Sequence, residues 1–238
     1  MPRLPIHCAA LAGLVLFALS SCTVVPPGAL PAADPKFAMT DEERAVARFS
    51  AVADRVAPVA EDVCKAEARG RNCDFLILMD EEPGAAANAF QSQTRGGRPV
   101  IVFTLPLVEE TRNADELAFV LGHETAHHIL GHLERTESNA RYGAAILAGM
   151  AEAEGYDAQI VQNAADLGAE IGARSFSQDY ELEADALGAV ITKRAGYDPV
   201  RGAAYFTRIP DPGEQFLGTH PPNAERMALV RRVTASLQ

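Results

Sequence analysis

The segment that most constrains this chain runs from Asn113 to His132 and reads N-A-D-E-L-A-F-V-L-G-H-E-T-A-H-H-I-L-G-H. Asn113 can cap a first helical turn, and Glu116, three residues on, can fold back to the cap's own amide. Leu117, Val120, Leu121 and Leu130 then recur at helical spacing. One helix running through His132 is expected. At about 100° per residue, His123 and His127 share a face one turn apart. Two imidazoles so placed can hold one zinc ion through neutral ring nitrogens. Glu124, about a quarter-turn away, is offset enough to face water beside the metal instead of the metal itself. These positions form the H-E-x-x-H pattern. Three fixed positions also fit a surface helix that happens to carry His and acidic residues, so a third ligand has to come from elsewhere.

The segment Phe176 to Gly188 reads as a second helix on which Glu181 and Asp185 share a face while Glu183 points away. Glu181 would complete two His and one Glu around zinc, leaving a fourth position for water. Asp185 would accept the outer ring proton of a ligand His. Taken alone, the segment reads more simply as a solvated acidic face. A longer three-histidine motif is excluded by register, because it needs glycine at 130 and histidine at 133, where the chain has Leu130 and Leu133.

The N-terminus speaks to location. Arg3 is followed by an apolar run, Cys8 to Leu19, too short to span a bilayer permanently, and then by Ser20, Ser21 and Cys22. This predicts a secretory signal over residues 1–21. Leu19-Ser20-Ser21-Cys22 resembles a bacterial lipobox, so Cys22 is expected to carry the acyl chains of an envelope lipoprotein on the periplasmic face, and Thr23 after it favours the outer membrane. An ordinary signal peptide cut at the same small residues is the alternative. Residues 22–40, with Pro26, Pro27, Pro31 and Pro35, read as an extended tether, and 41–238 as one catalytic domain. A net charge of -11 leaves no electrostatic basis for binding nucleic acid or anionic lipid, so the partners expected are proteins or peptides, with the membrane reached through the lipid anchor. Composition does not fix the oligomeric state.

Along the domain, Thr40 to Glu43 carries a capping signature for a helix whose apolar face runs from Ala45 through Val59 toward Ala68. Cys64 and Cys73 flank a short polar stretch and could close a disulfide stapling that helix end to the next strand, buried free thiols being the alternative. Phe75 to Met79, Ala86 to Gln91 and Val100 to Phe103 are expected strands of a small antiparallel or mixed sheet just ahead of the His helix. From Tyr142 to Gly172 the chain is rich in Ala and Gly and reads as two closely packed helices. They serve either as a cover for the cleft or as a spacer.

Asn88-Ala89-Phe90, His123-Glu124-Thr125-Ala126-His127 with His132, Glu181 to Gly188, and Thr219-His220-Pro221 with Arg226 occur in an order that resembles the HtpX and CAAX-prenyl-endopeptidase family of zinc metallopeptidases, in particular its soluble periplasmic lipoprotein members. The resemblance runs from about Asp41 to the C-terminus. It implies an α+β, mainly helical zincin-type fold with a small sheet packed beside the H-E-x-x-H helix, one Zn2+ per chain, and hydrolysis of peptide bonds. It also implies zinc ligands His123, His127 and Glu181, Glu124 as general base, and Asp185 bracing a ligand. Asn88, Ala89 and Phe90 would form the strand against which an extended substrate lies. His220 would stabilise an oxyanion or swing onto zinc and block it, unless it only caps the chain ahead of Pro221 and Pro222. Arg226 would pair with an acid near the cleft, and His132 would pack or support a ligand. Gln178, where members often have Arg, and the lack of a glycine near Thr104 to Pro106 depart from the pattern. The function expected is quality control of unfolded or misassembled envelope proteins, with a non-proteolytic assembly factor holding a latent metal site as the alternative.

Overall fold

The computed structural model describes residues 39–211, 218 and 220–237. The signal segment, Cys22, most of the tether and Thr219 lie outside the described residues. Helix α1 (Asp41–Glu67) opens with a capping box. Thr40 Oγ1 accepts from the Glu43 amide at 3.1 Å, and Glu43 accepts from the Thr40 amide at 2.7 Å. Its buried face, Ala45, Phe49, Val52, Val56, Ala60 and Val63, follows the helical repeat and packs on the rest of the core. A disulfide between Cys64 and Cys73 ties its end to the segment entering β1, with Cα atoms 5.7 Å apart. Closing a loop this short removes about 2–3 kcal/mol of freedom from the unfolded chain.

Strands β1 (Leu76–Asp80), β2 (Ala89–Gln93) and β3 (Pro99–Thr104) form a mixed sheet of order β1-β3-β2, with β1 parallel and β2 antiparallel to β3. Central β3 buries Ile101 and Phe103 on one face, where Phe103 meets Phe49 at 5.1 Å between ring centres. β2 begins three residues later than its apolar run suggests. The Thr104 hydroxyl donates to the Ala86 carbonyl and accepts from the Asn88 amide, so a side chain replaces one of the two ladder bonds there, the Thr104 amide still donating to the Asn88 carbonyl, and Asn88 sits just outside the strand. After β3, α2 (Leu105–Glu110) follows with Pro106 in its first turn.

Helix α3 (Ala114–Ile129) is the central element, with both faces covered from Leu117 to His123. Its cap differs from the reciprocal box expected. Asn113 does accept from the Glu116 amide, but the Glu116 carboxylate accepts from the Arg112 amide and is gripped by Arg208. The helix also stops before His132, contrary to expectation. Gly131 adopts the left-handed conformation, φ +70°, and His132 starts a new helix, α4 (His132–Ala153). α4 returns as α5 (Ala158–Arg174), then α6 (Ser177–Arg194) crosses back over α3. A Cβ on Gly122 would lie 2.8 Å from the Gly188 carbonyl oxygen, and one on Gly188 would lie 2.8 Å from the His123 amide. Two glycines therefore bring α3 and α6 into backbone contact next to His123. Helix α7 (Pro199–Ala203), a short 3-10 turn (Ala204–Thr207) and α8 (Asn223–Ser236) complete the core. The architecture is α+β and mainly helical, and no helix among the described residues is long and apolar enough to cross a membrane.

Candidate metal centre

The one-turn spacing on α3 sends His123 Nε2 and His127 Nε2 to within 3.0 Å of each other. From α6, the two carboxylate oxygens of Glu181 lie 3.4 Å from His123 Nε2 and 3.4 Å from His127 Nε2. Donors 2.0–2.1 Å from a tetrahedral zinc ion are separated by about 3.3–3.4 Å, so both Glu181 contacts match such an ion, and the two nitrogens, 3.0 Å apart, would open by a few tenths of an ångström to hold it. One ligand atom from each of the three residues lies within 4.8 Å of the others, a grouping that could hold a metal ion.

Each histidine is oriented from behind. His123 Nδ1–H donates to Asp185 Oδ1 at 2.9 Å, and Asp185 accepts two further bonds from Arg226 of α8, each 2.7 Å. Asp185 is fully buried and follows Glu181 by one turn, so the same face of α6 supplies a ligand and a brace. Arg226 thus pairs with an acid beside the cleft, and its guanidinium also covers Phe206 at 3.8 Å. The second brace is less legible in sequence. His132 Nδ1 lies 2.8 Å from His127 Nδ1, while its Nε2 contacts Glu183 at 3.2 Å and Tyr180 stacks on its ring at 4.7 Å. With its Nε2–H given to Glu183, His132 accepts the proton of His127 Nδ1, which leaves His127 Nε2 free for a metal. Glu183, which points away from the donors as its helical position dictates, holds this relay together with Arg135 at 2.7 Å. The signal for it was the glycine before His132, which breaks the helix and turns that ring back. His128 faces the other way, donating from Nε2 to the Asn72 carbonyl at 2.7 Å.

Electrostatics follow from this packing. Burial lowers the basicity of His123, but its contacts with Asp185 and Glu181 outweigh it and carry its pKa up to about 10. Burial favours protonated Glu181, yet hydrogen bonds from His123, His127 and His220 hold its carboxyl well below the usual range. Burial and the neighbouring His127 bring His132 down to about 4, against the pull of Glu183, so it stays neutral as the relay requires. Burial also raises Glu124, only partly offset by His123 and His127.

Two recesses meet at these residues. One, of about 310 Å3, is lined by Phe90, His127, His132, Thr136 and Tyr180. The other, of about 430 Å3, is lined by Asn88, Leu107, Val120, Phe206, Ile209 and Arg226. They share Ala89, His123, Glu124, Glu181 and His220, so Glu124 sits at the midpoint of one cleft. The edge of β2 opposite β3 runs along it. His220 stands at the mouth, half exposed, with Nδ1 3.0 Å from Glu181 Oε2.

The chain matches the model of peptidase family M48 over residues 48–234. It is similar to the beta-barrel assembly-enhancing protease of Escherichia coli (strain K12), 30% identical over 172 residues that cover 66% of this chain and 33% of that protein. It is also similar to the protein of the same name from Yersinia pestis, 32% identical over 147 residues that cover 55% of this chain and 30% of that protein. The chain spans about a third of the length of the curated relatives it matches. The family match takes in the sheet, both helices that present donors and the Arg226 brace, well over half of the chain, and the chain therefore belongs to peptidase family M48.

Proposed function

We propose that this chain is a zinc-dependent endopeptidase of the bacterial envelope, held by a lipid on Cys22, that cleaves unfolded or misassembled proteins. The observation that carries the reading is the convergence of His123, His127 and Glu181 on one point inside a cleft that a free strand edge borders. A zinc ion there supplies acidification of water and polarisation of a peptide carbonyl. The rest is work of the chain's own side chains. Asp185 and His132, by accepting from the Nδ1 atoms, keep both Nε2 atoms aimed at the ligand position, where a metal would take the place of a proton. Glu124, its basicity raised by burial, takes a proton from water and returns it to the leaving amine. The backbone of Ala89 and Phe90 offers an extended peptide the hydrogen bonds of a fourth strand, which favours unfolded chains over folded ones. His220, at the mouth with Nδ1 on Glu181, would donate from its other ring nitrogen to an oxygen of the reacting peptide.

Glu124→Gln is expected to retain one zinc per chain and to lose cleavage of an unfolded protein by at least a hundredfold. A variant as active as the wild type overturns the proposal. The bond between His220 and Glu181 favours a second reading, an assembly factor whose metal site is latent. Complementation separates the two, since an assembly role survives Glu124→Gln. For the anchor, Cys22→Ala is expected to shift the protein from the membrane to the soluble envelope fraction.

A further inference from the structure

The α4–α5 hairpin is built against the usual economy of helix packing. Its two helices meet through glycines: a Cβ on Gly143 would lie 2.0 Å from the Gly168 carbonyl oxygen, and one on Gly172 would lie 2.1 Å from that of Asn139. The large apolar side chains, which would normally fill such a contact, are turned outward. Tyr142, Ile146 and Met150 recur every fourth residue on α4 and are 68%, 61% and 61% exposed, and Leu167 of α5 and Phe176 are 54% and 50% exposed. So dense an apolar patch on one hairpin signals a binding surface. Among these side chains lies a groove of about 310 Å3, floored by Gly143, Gly168 and Gly172 and walled by Tyr142, Ile146 and Phe176.

The groove continues the catalytic cleft. Asn139, at its edge, donates to the Tyr180 hydroxyl at 2.9 Å, and Phe176 stacks toward Tyr180, whose ring lines the cleft beside His132. On α4 a single stripe, Leu133, Thr136, Asn139, Gly143 and Ile146, leads from one to the other at helical spacing. Charge selects the occupant. Around the hairpin stand Glu152, Glu154, Asp157, Asp166 and Glu170 against Arg141 and Arg174, in a chain of net charge -11. An anionic membrane surface is recruited by Lys and Arg on the polar face of an apolar helix, which is the opposite pattern. A second copy would set two strongly acidic chains against each other.

We propose that this groove is an accessory site that binds an apolar segment of the polypeptide being cleaved. This deepens the peptidase reading and rests on it. Tyr142 lies ten residues along α4 from His132, about 15 Å, which an extended chain covers in about four or five residues. Substrates are therefore selected by apolar residues about five positions from the scissile bond.

The test uses the full chain carrying Glu124→Gln, zinc-loaded, so that binding is read without cleavage. The probes are dye-labelled fourteen-residue peptides with Leu-Phe-Leu five residues before or five residues after a central dipeptide, each paired with a Ser-Gln-Ser control. By fluorescence anisotropy, one Leu-Phe-Leu peptide is expected to bind about tenfold more tightly than its control. The difference is expected to vanish in the exposed-face variant Tyr142→Gln/Ile146→Gln, whose affinity for the controls is unchanged. Equal binding of apolar and control peptides, or a difference that survives in the double variant, overturns the proposal. So does a dimer in sedimentation, or flotation with phosphatidylglycerol vesicles, that the double variant abolishes, since the groove then belongs to self-association or to lipid. Failure of the wild type to cleave any unfolded protein overturns the peptidase reading instead, while the anisotropy comparison still decides the groove.

Discussion

Asp185 shows how a single carboxylate shapes a candidate metal centre without touching the metal. Burial alone would favour its protonated form, but the double contact with Arg226 and the bond from His123 keep it ionised. It therefore holds a proton on His123 Nδ1 and turns Nε2 toward the ligand position. Asp185→Asn is expected to preserve the fold and weaken zinc binding 10- to 100-fold, read by competition with a chromophoric chelator. Glu116, 2% exposed, does a purely structural job. Burial raises its pKa, but the Arg208 fork and the Arg112 amide outweigh that and hold it below its usual 4.5. A carboxyl depressed in the folded state adds stability above its unfolded pKa and loses it as pH falls through the folded value. Glu116→Gln is thus expected to cost about 1–3 kcal/mol at pH 7, the lower end being set by water around the 22%-exposed Arg208 side chain, and to flatten the loss of stability below about pH 4.5. Urea midpoints from pH 3 to 7 check both.

At the scale of elements, the crossing of α3 and α6 decides whether the donors converge. Glu181 reaches His123 and His127 because Gly122 and Gly188 let the two backbones touch beside His123. Gly188→Ala puts a methyl group against the His123 amide with no flexible side chain to yield. It is expected to destabilise by about 1–3 kcal/mol and to lower zinc affinity as α6 shifts. Gly149 in α4 is the control with the opposite sign. A Cβ there meets nothing within 4 Å, so Gly149→Ala is expected to stabilise by about 0.5–1 kcal/mol and leave zinc affinity unchanged. Denaturant titration and zinc content of the two variants make the comparison.

For the whole molecule, α1, the sheet and α7–α8 bury most of α3, while the α4–α5 hairpin stands beside it with its apolar face uncovered. The proposed chemistry and the proposed recognition would thereby be divided between the core and the hairpin. By itself the sequence offered the candidate donors, while Glu181 entered the set through the family resemblance. His at a spacing of four on a helix must share a face, Glu181 and Asp185 must share another, and the acids and glycines around them needed no tertiary information to be read as helices. The α1 cap and the close pairing of the 142–172 helices were legible for the same reason, because capping and small-residue contacts are local. What only the tertiary structure decided depends on where helices end and cross. The turn at Gly131 is one left-handed residue, but it converts His132 from a neighbour on the same helix into the partner of His127. The regrouping of Glu116 with Arg208, 92 residues away, reflects a competition that local spacing cannot express. The meeting of Gly122 with Gly188 is of the same kind, since backbone contact between distant segments is governed by the packing of the entire core.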